Sequence, residues 1–255
     1  GQPVHLFHEG EGVQALLRGI PMNSRFTGRY DFSLIPAGYL ENITITSARG
    51  SIVDAGGLTE LHPHRIRANI PFTRVSYRDG FYGKGVADFI ISQRLGARYG
   101  MQVGGRAAET YGRLRNSEFN GLQLRGSFRY LDFMGWDLTA AFMDNNHERQ
   151  LATSNDEETW HRTDIFLTGV RGSGWKAIDA ALHFHHSENR YGLRFDQMEN
   201  SFDFRVEKGW NVGKLPVKPS LYLNYYDVES DGYEEEQLIA VPALSSYQQP
   251  FTGVT

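Results

Sequence analysis

The sequence predicts an all-β protein, and three observations lead to this class. Glycine and aromatic residues are abundant, with 28 glycines, 13 tyrosines and 16 phenylalanines in 255 residues, a composition typical of chains with many short strands. Several stretches alternate between apolar and polar residues, which is the period of a β-strand. The links between these stretches mostly alternate between short and long, which indicates an array of hairpins.

The alternation defines about nine strands. In residues 122–130, leucine and aromatic residues occupy one set of alternate positions, and glutamine, arginine and serine occupy the other. The same pattern predicts strands at residues 72–78, 86–95, 98–108, 136–142, 160–170, 178–186, 202–207 and 221–226. Residues 160–170 do not show which face is apolar, because Ile165 and Leu167 alternate with Phe166 and Val170.

Strand length and link length favour a membrane barrel. The longer predicted strands run about 9–11 residues, as a tilted membrane-spanning strand requires, whereas strands of soluble domains average about 5–6. The links at 109–118, 144–159, 187–200 and from 227 onward are long and polar, and those at 96, 132–135 and 171–174 are short. We therefore predict an antiparallel transmembrane β-barrel with its apolar face towards lipid. The period alone leaves open a soluble β-barrel whose apolar face points inward.

The first part of the chain has a different character. Residues 13–49 show a strand, a loop, a short helix or turn, and a second strand, and residues 47–57 are small and rich in glycine. This is a compact α+β pattern rather than a series of barrel hairpins. We therefore predict a small α+β domain over residues 1–65, followed by barrel strands over residues 66–255.

Residues 15–57 resemble the plug domain of TonB-dependent outer-membrane receptors. The residues that carry the resemblance are Gly19, Pro21, Ile35, Pro36, Glu41, Ile43, Ile45, Arg49 and Gly50. Two positions depart from the family pattern: Arg18 stands where the family has an Asp before the turn glycine, and Gly56-Gly57 continues into Leu58 rather than the usual Gly-Gly-Val-Ile-Asn-Ile. No TonB box is found in the sequence, so coupling to a TonB-type protein rests on the resemblance alone.

The resemblance implies a plugged barrel in the bacterial outer membrane that takes up a small ligand. Its partners would be the lipid bilayer, the ligand and a TonB-type energy-coupling protein. The resembled receptors have about 22 strands, enough to enclose a plug. A sheet of about nine strands would leave two open edges in lipid with unsatisfied backbone groups, so we expect the chain to be part of a longer protein.

Several polar residues of the predicted lumen face are candidate ligand-binding residues. Arginine side chains there are suited to bind an anionic ligand or to anchor acidic residues of the plug. Two histidines on one strand face are half of a zinc site, and no acidic partner for them is evident from the sequence, so we interpret them as polar lumen residues and predict no metal site. The candidates are Arg98, Arg106, Arg125, Arg129, Arg205, His183 and His185.

Two acidic stretches are interpreted as exposed loops. Residues 144–158 are rich in carboxylate and amide oxygens, which Ca²⁺ prefers, but their spacing matches no EF-hand loop. The run Glu234, Glu235 and Glu236 is a charge cluster typical of a solvated loop.

The sequence gives no sign of catalysis or of nucleic-acid binding. It contains no nucleophile elbow, zinc-protease, P-loop or dinucleotide-binding motif. It has no cysteine and a net charge of −4, which excludes thiol chemistry and gives no basic footprint for nucleic acid. We predict a transport protein without a cofactor. The alternatives are a passive porin-like channel with a vestigial plug and a soluble carbohydrate-binding β-domain.

Overall fold

The computed structural model consists almost entirely of β-strands. It describes residues 13–24, 35, 39–47, 57–63, 70–112, 118–150, 157–173, 176–191, 195–212, 215–230 and 233–243. The described strands form three sheets of four, ten and two strands. None of the described residues forms a helix that is long and apolar enough to cross a membrane.

The four-stranded sheet, named here the N-terminal sheet, comprises β1 (Val13–Leu17), β2 (Ile20–Pro21), β3 (Leu40–Ser47) and β4 (Gly57–Pro63) in the order β2-β1-β4-β3. A tight turn joins β1 to β2, and both of its central residues, Arg18 and Gly19, have positive φ angles of 55° and 76°. This is the backbone pattern of a type I′ hairpin turn, in which glycine is favoured because it has no Cβ. β1 pairs with β4 in parallel, and β3 pairs with β4 antiparallel.

The ten-stranded sheet, named here the wall, is antiparallel throughout and follows chain order from β5 to β16. Its strands are β5 (Phe72–Asp79), β6 (Gly85–Leu95), β7 (Tyr99–Thr110), β8 (Phe119–Phe133), β9 (Trp136–Gln150), β10 (Glu157–Arg171), β11 (Ile178–Tyr191), β12 (Phe195–Lys208), β15 (Ser220–Ser230) and β16 (Tyr233–Ala243). The short hairpin of β13 (Trp210–Val212) and β14 (Leu215–Val217) joins β12 to β15.

The register of the wall gathers apolar residues on one face, named here the outer face. Ile165 pairs with Phe142 and with Phe184, Phe184 pairs with Phe202, and Phe202 pairs with Tyr225. These five side chains form a row across β9, β10, β11, β12 and β15, and each is 37–50% exposed. Neighbouring positions on the opposite, inner face are buried and mostly polar, although Ala141, Met143 and Phe166 there are apolar. The apolar face is therefore the exposed one, the reverse of a soluble sheet.

The boundary at which outward residues change from apolar to polar, near Asp144 on β9, runs diagonally across the strands of the wall. On β9 the outward residues become polar at Asp144 and Asn146, but their β8 partners are Leu124 and Leu122. Leu122 and Leu124 are 52% and 43% exposed. A boundary that steps along the strands in this way is what a flat apolar layer produces when the strands are tilted relative to the barrel axis.

The wall differs from the predicted strands in number and in length. It has ten strands rather than about nine, because the Glu234–Glu236 run, interpreted as an exposed loop, lies in β16. The strands are 8–15 residues long, since most of the residues predicted as loops at 144–159 and 187–200 continue the ladders of β9–β12. Both faces of these extensions are polar, so their sequence shows no alternation.

The N-terminal sheet packs against the inner face of the wall. Ala15, Leu17, Ile20, Met22 and Leu61 are 0–1% exposed. They share one hydrophobic cluster with wall residues, namely Ala141, Met143, Phe166 and Ala181. The loop and short helix or turn predicted within residues 13–49 fall mainly on residues 25–38, of which only Ile35 is described.

Candidate functional site

The candidate site is the contact between the N-terminal sheet and the inner face of the wall. Its apolar part is centred on Phe166, which is 2% exposed and belongs to the cluster of Leu17, Ile20 and Met22. Phe166 therefore points inward, whereas Ile165 and Leu167 remain 50% and 47% exposed on the outer face. This assignment settles the facing of residues 160–170, which the sequence leaves open.

Beside this apolar contact lies a buried chain of charged side chains, named here the inner network. Arg162 donates from Nε and Nη2 to the two carboxylate oxygens of Asp164, at 2.8 and 2.9 Å. The two ring nitrogens of His183 each lie 2.9 Å from a carboxylate oxygen, one of Asp164 and one of Asp203. The other oxygen of Asp203 accepts from Asn224 Nδ2 at 2.6 Å and from the Tyr222 hydroxyl.

The strand register explains how these residues meet. His183 on β11 pairs directly with Asp203 on β12, and Asp203 pairs with Asn224 on β15. Asp164 on β10 is displaced by two residues from the position opposite His183, a diagonal distance that long side chains can bridge. The four charged members, Arg162, Asp164, His183 and Asp203, are each at most 2% exposed.

The charges of the inner network balance. An ionised carboxylate only accepts hydrogen bonds, so a ring that bonds a carboxylate through each nitrogen donates from both and carries a positive charge. With His183 in this form, two cations face two anions. Buried charges are tolerated when they are paired and hydrogen-bonded in this way. His183 also stacks on Phe166, with ring centroids 4.4 Å apart, which joins the network to the apolar contact.

Two wall arginines bond backbone carbonyls at the two ends of the β1–β2 hairpin. Arg162 Nη1 donates to the Met22 carbonyl at 2.9 Å, just after β2. Arg205 Nη1 donates to the Arg18 carbonyl at 3.1 Å, in the turn. Arg205 is in turn held by Glu207, which also accepts from Lys218. The hairpin is thus bonded to β10 at one end and to β12 at the other.

Gly19 is required for the Arg205 contact. A Cβ placed on Gly19 would lie 1.9 Å from Arg205 Nη1, far inside van der Waals contact. The positive φ of Gly19 is also a conformation that other residues rarely adopt. The glycine therefore serves both the turn and the approach of the arginine.

Two further polar contacts join the hairpin region to the wall. The Arg18 guanidinium donates to the Thr168 hydroxyl on β10 at 2.9 Å. The Ser24 hydroxyl donates to Glu199 on β12 at 2.8 Å. Together with Arg162 and Arg205, these contacts fasten a short stretch of the N-terminal sheet to β10 and β12.

A separate contact lies further along the wall, where the Arg125 guanidinium carbon is 5.7 Å from the centre of the Tyr39 ring. Arg125 is 3% exposed and donates to Asp88 at 3.2 Å. Burial raises the pKa of the Tyr39 hydroxyl above its ordinary value of 10.0, and the charges of Arg18 and Arg125 act in the opposite direction.

The structure distributes the predicted arginines unevenly. Arg125 lies on the inner face beneath Tyr39, and Arg205 bonds the hairpin turn. Arg129 pairs with Asp137 on the neighbouring strand at 3.0 Å. Arg106 is half-buried on β7, and Arg98 is exposed in the turn before β7, so Arg98 does not belong to the inner face. The role of these residues in ligand binding remains a prediction.

For the histidines, the expectation that no acidic partner lies near was wrong. Asp164 and Asp203 bond His183, and a Glu199 carboxylate oxygen lies 3.8 Å from His185 Nδ1. These partners come from β10 and β12, about 20 positions away in sequence, which is why the local sequence does not show them. Among the described residues, no group of three or more acidic or histidine side chains is placed to hold a metal ion.

The residues of the plug resemblance lie in different environments. Ile35 is 6% exposed, whereas Ile43 and Ile45 on β3 are 51% and 58% exposed, and Glu41 is also exposed. Gly19 and Pro21 lie in the β1–β2 hairpin. Pro36, Arg49 and Gly50 lie outside the described residues.

The interpretation of residues 144–158 as a solvated loop was wrong for its described part. Asp144 to Gln150 belong to β9, and Glu157 and Glu158 begin β10. Asn145 and Glu158 are 3% and 2% exposed. Glu158 is paired with Arg149 across the two strands.

Arg162, Asp164 and Asp203 were not among the predicted site residues. Asp164 and Asp203 each sit at an inward position next to an apolar outward one, as Arg125 and His183 do, whereas Arg162 lies between His161 and Thr163. The sequence alone does not assign a facing to residues 160–170. The Arg-x-acid pattern at Arg162-x-Asp164 and Arg205-x-Glu207 is a weak signal, because it also occurs at Arg29-x-Asp31 and Arg194-x-Asp196.

No protein-family model matches the sequence, and neither does any curated protein. Solved structures do match. The siderophore receptor PirA from Pseudomonas aeruginosa has a TM-score of 0.69 at 14% identity over 89% of this chain and 43% of its own. The copper transporter OprC has a TM-score of 0.71 at 11% identity, over 88% of this chain and 41% of its own. The pyoverdine outer membrane receptor FpvA from Pseudomonas aeruginosa, bound to pyoverdine, has a TM-score of 0.59 at 11% identity, over 85% of this chain and 40% of its own.

The chain spans less than half of the length of each of these receptors. The TM-scores of 0.59–0.71 establish a shared fold at identities of 11–14%, and the shared part covers 85–89% of this chain. The chain therefore has the fold of part of a TonB-dependent receptor-like outer-membrane β-barrel.

Proposed function

We propose that this chain belongs to an outer-membrane uptake receptor in which the N-terminal sheet is the plug of a β-barrel. The observation that carries the proposal is the inversion of the two wall faces. The outer row of Phe142, Ile165, Phe184, Phe202 and Tyr225 is exposed, while the inner face buries charged residues against the N-terminal sheet. An exposed apolar face of this extent is stable in lipid and would aggregate in water.

The similar solved structures support the transport function. Their names describe receptors or transporters of siderophores and copper, and we extend to this chain the coarser property that they share, uptake of a small ligand across the outer membrane. The sequence resemblance of residues 15–57 to the plug of TonB-dependent receptors supports the same assignment. It also suggests a TonB-type protein as the partner that supplies energy.

The N-terminal sheet is placed to occlude the path along the inner face. It covers the inner network and the apolar cluster around Phe166. A small ligand that passes along this face has to displace the sheet or cross it. In this proposal, ligand binds on the outer side, and movement of the sheet opens the path.

A passive channel with a vestigial plug is the alternative. A passive channel requires an N-terminal sheet that is held weakly against the wall and does not control passage. The sheet instead buries five apolar side chains to 0–1% exposure and bonds β10 and β12 through Arg162, Arg205, Thr168 and Glu199. This degree of fastening favours a regulated plug.

The test is cell fractionation of the complete protein, followed by electrophoresis of heated and unheated membrane samples. We expect the protein in the outer-membrane fraction and a faster mobility before heating, because folded barrels resist dissociation. Recovery in the soluble fraction without detergent would overturn the proposal, since the apolar outer face would then have to be covered by protein. Uptake can next be measured as growth that depends on the receptor under limiting iron or copper.

A further inference from the structure

The β1–β2 hairpin is held by two wall arginines that share one design. Each arginine donates to a backbone carbonyl of the hairpin region, Arg162 to Met22 and Arg205 to Arg18. Each is also bonded by a carboxylate two residues further along its own strand, Asp164 and Glu207. In a strand, residues two apart point to the same face, so the acid can fix the direction of the guanidinium.

We propose that Arg162, Asp164, Arg205 and Glu207 form a two-point clamp on the backbone of the β1–β2 hairpin, and that opening of this clamp sets how often the N-terminal sheet leaves the wall. The inference rests on the proposed function for its biological meaning. It concerns the regulation of the same contact and assigns these four residues a role in holding the sheet rather than in binding the ligand.

The clamp is distinct from the framework of the wall. β10, β11 and β12 are joined by uninterrupted antiparallel ladders over their full lengths. The arginine tips, by contrast, reach across to carbonyl groups of a different sheet, at sequence separations of 140 and 187 residues. Removal of the clamp side chains therefore leaves the wall ladders intact. It removes the two bonds to the hairpin carbonyls, together with the wall bonds of Asp164 to His183 and of Glu207 to Lys218.

One clamp point has additional support from the inner network. Asp164, which orients Arg162, is bonded by His183, and His183 is bonded by Asp203. His183 lies on β11 and Asp203 on β12, and both reach Arg162 through the chain of bonds that ends at Asp164. We therefore assign His183 and Asp203 as positioning residues that act on the hairpin through Arg162.

The hairpin side of the clamp is made of backbone rather than of side chains. Arg205 reaches the Arg18 carbonyl in this position because Gly19 has no Cβ, which would lie 1.9 Å from Arg205 Nη1 and displace the guanidinium. The Met22 carbonyl follows the short strand β2 directly. A clamp of this kind depends on hairpin geometry, so local distortion of the hairpin would break both bonds together.

The experiment measures how often the sheet leaves the wall in the intact protein, reconstituted in lipid vesicles without ligand or energy source. The chain has no cysteine, so Ala141→Cys provides the single thiol of these 255 residues, and any cysteine elsewhere in the complete protein is first replaced by serine. Ala141 is 6% exposed and lies in the cluster with Leu17 and Met22. A water-soluble maleimide reaches this thiol only when the sheet is displaced, and its rate follows the open population when reclosing is fast.

Three charge-neutral double variants are compared in this background. Arg162→Met with Asp164→Asn removes one clamp point, and Arg205→Met with Glu207→Gln removes the other. The matched control, Arg129→Met with Asp137→Asn, removes a wall ion pair that bonds no described residue of the N-terminal sheet. We expect roughly tenfold faster labelling for each clamp variant, as for loss of one hydrogen bond from a charged donor, and no change for the control.

The positioning role is tested by Asp203→Asn, alone and combined with Arg162→Met and Asp164→Asn. We expect faster labelling from Asp203→Asn alone and no further increase in the combination, because both changes act on one bond. Arg162→Lys serves as a milder variant in case the neutral pair fails to assemble. A lysine cannot bond both Asp164 oxygens and the Met22 carbonyl, so we expect an intermediate rate.

Clamp variants that keep a heat-modifiable barrel and label no faster than the control would overturn the clamp. Additive effects of Asp203→Asn and the Arg162 pair would overturn the positioning role. Labelling requires neither transport nor an identified ligand, so its failure is distinguishable from failure of the proposed function, which depends on fractionation and uptake.

Discussion

Adjacent residues on β10 and β11 have opposite environments, and the contrast between them describes the whole wall. Ile165 and Phe184 are 50% and 43% exposed on the outer face. Asp164 and His183, their immediate neighbours along the chain, are 1% exposed and bonded to each other on the inner face. A soluble protein places these types the other way round. The inner face thus serves contact with the N-terminal sheet, and the proposed function assigns the exposed apolar outer face to lipid.

The two faces also obtain stability differently. Under the proposed function, the outer face gains from lipid around side chains that touch few partners, so each residue is expected to contribute almost independently. The inner face gains stability from a connected network, in which the single carboxylate of Asp203 accepts hydrogen bonds from His183, Tyr222 and Asn224. Loss of one member leaves the others buried without a partner. Substitutions on the inner face should therefore lower the free energy of unfolding more than those on the outer face. Effects of several substitutions should add up on the outer face and should not on the inner face.

The largest expected effect is on the inner face. Asp203→Ala removes the acceptor of two buried donors, His183 and Asn224, and of the half-buried Tyr222 hydroxyl, and should lower the free energy of unfolding by about 3–5 kcal/mol. Phe202→Ala, one residue away on the outer face, should cost clearly less, since Phe202 is 45% exposed. Urea unfolding of the barrel in lipid vesicles measures both. Equal losses would contradict the contrast between the faces.

The next effect concerns charge on the outer face. Phe184→Arg places a cation in the apolar row and should destabilise the barrel by about 2–4 kcal/mol if the site is near the middle of the membrane. His186→Arg, one step further along the same face, replaces a polar residue that already contacts Asn200 and Glu188. It should therefore be nearly neutral. Recovery of heat-modifiable protein from membranes compares the two variants, and equal recovery would argue against lipid at Phe184.

The smallest expected effect compares two buried glycines. A Cβ on Gly104 would lie 2.9 Å from the backbone oxygen of Phe89 and 3.0 Å from the Arg125 guanidinium, whereas one on Gly126 would meet the Phe142 ring at 2.3 Å. Backbone cannot move aside, but the 45% exposed Phe142 ring can rotate into lipid. Gly104→Ala should cost about 1–3 kcal/mol, as overpacking does, and Gly126→Ala less. The reverse order in urea unfolding would place Phe142 against protein.

The outer face could be predicted from sequence because apolar and polar residues alternate within each single strand. Leu122, Leu124 and Phe128 alternate with polar residues in one short stretch, and no knowledge of neighbouring strands is needed. The same reasoning failed where both faces are polar. Asp144 to Gln150 continue β9 without any alternation, and Tyr233–Ala243 form β16 through a run of glutamates.

The inner network could be predicted only in part. His183 and His185 stood out as two histidines on one strand face, but Asp164 and Asp203 reach His183 through pairing between strands about 20 residues apart. Arg162 and Arg205 contact backbone carbonyls of the hairpin. Every residue has such a carbonyl, so no residue type in the hairpin signals these contacts. Gly19 is the exception, because its missing Cβ is where Arg205 approaches.

The central claim, that the apolar face meets lipid, is tested most directly by spin labels on Phe202→Cys and Ser201→Cys in the complete protein in lipid vesicles. The two positions are adjacent on β12, and Ser201 is 3% exposed while Phe202 is 45% exposed. We expect oxygen, which concentrates in lipid, to relax the label at 202 strongly, while a water-soluble nickel complex does not. We expect the label at 201 to be shielded from oxygen in lipid. A label at 202 that responds to the nickel complex rather than to oxygen would contradict the membrane barrel.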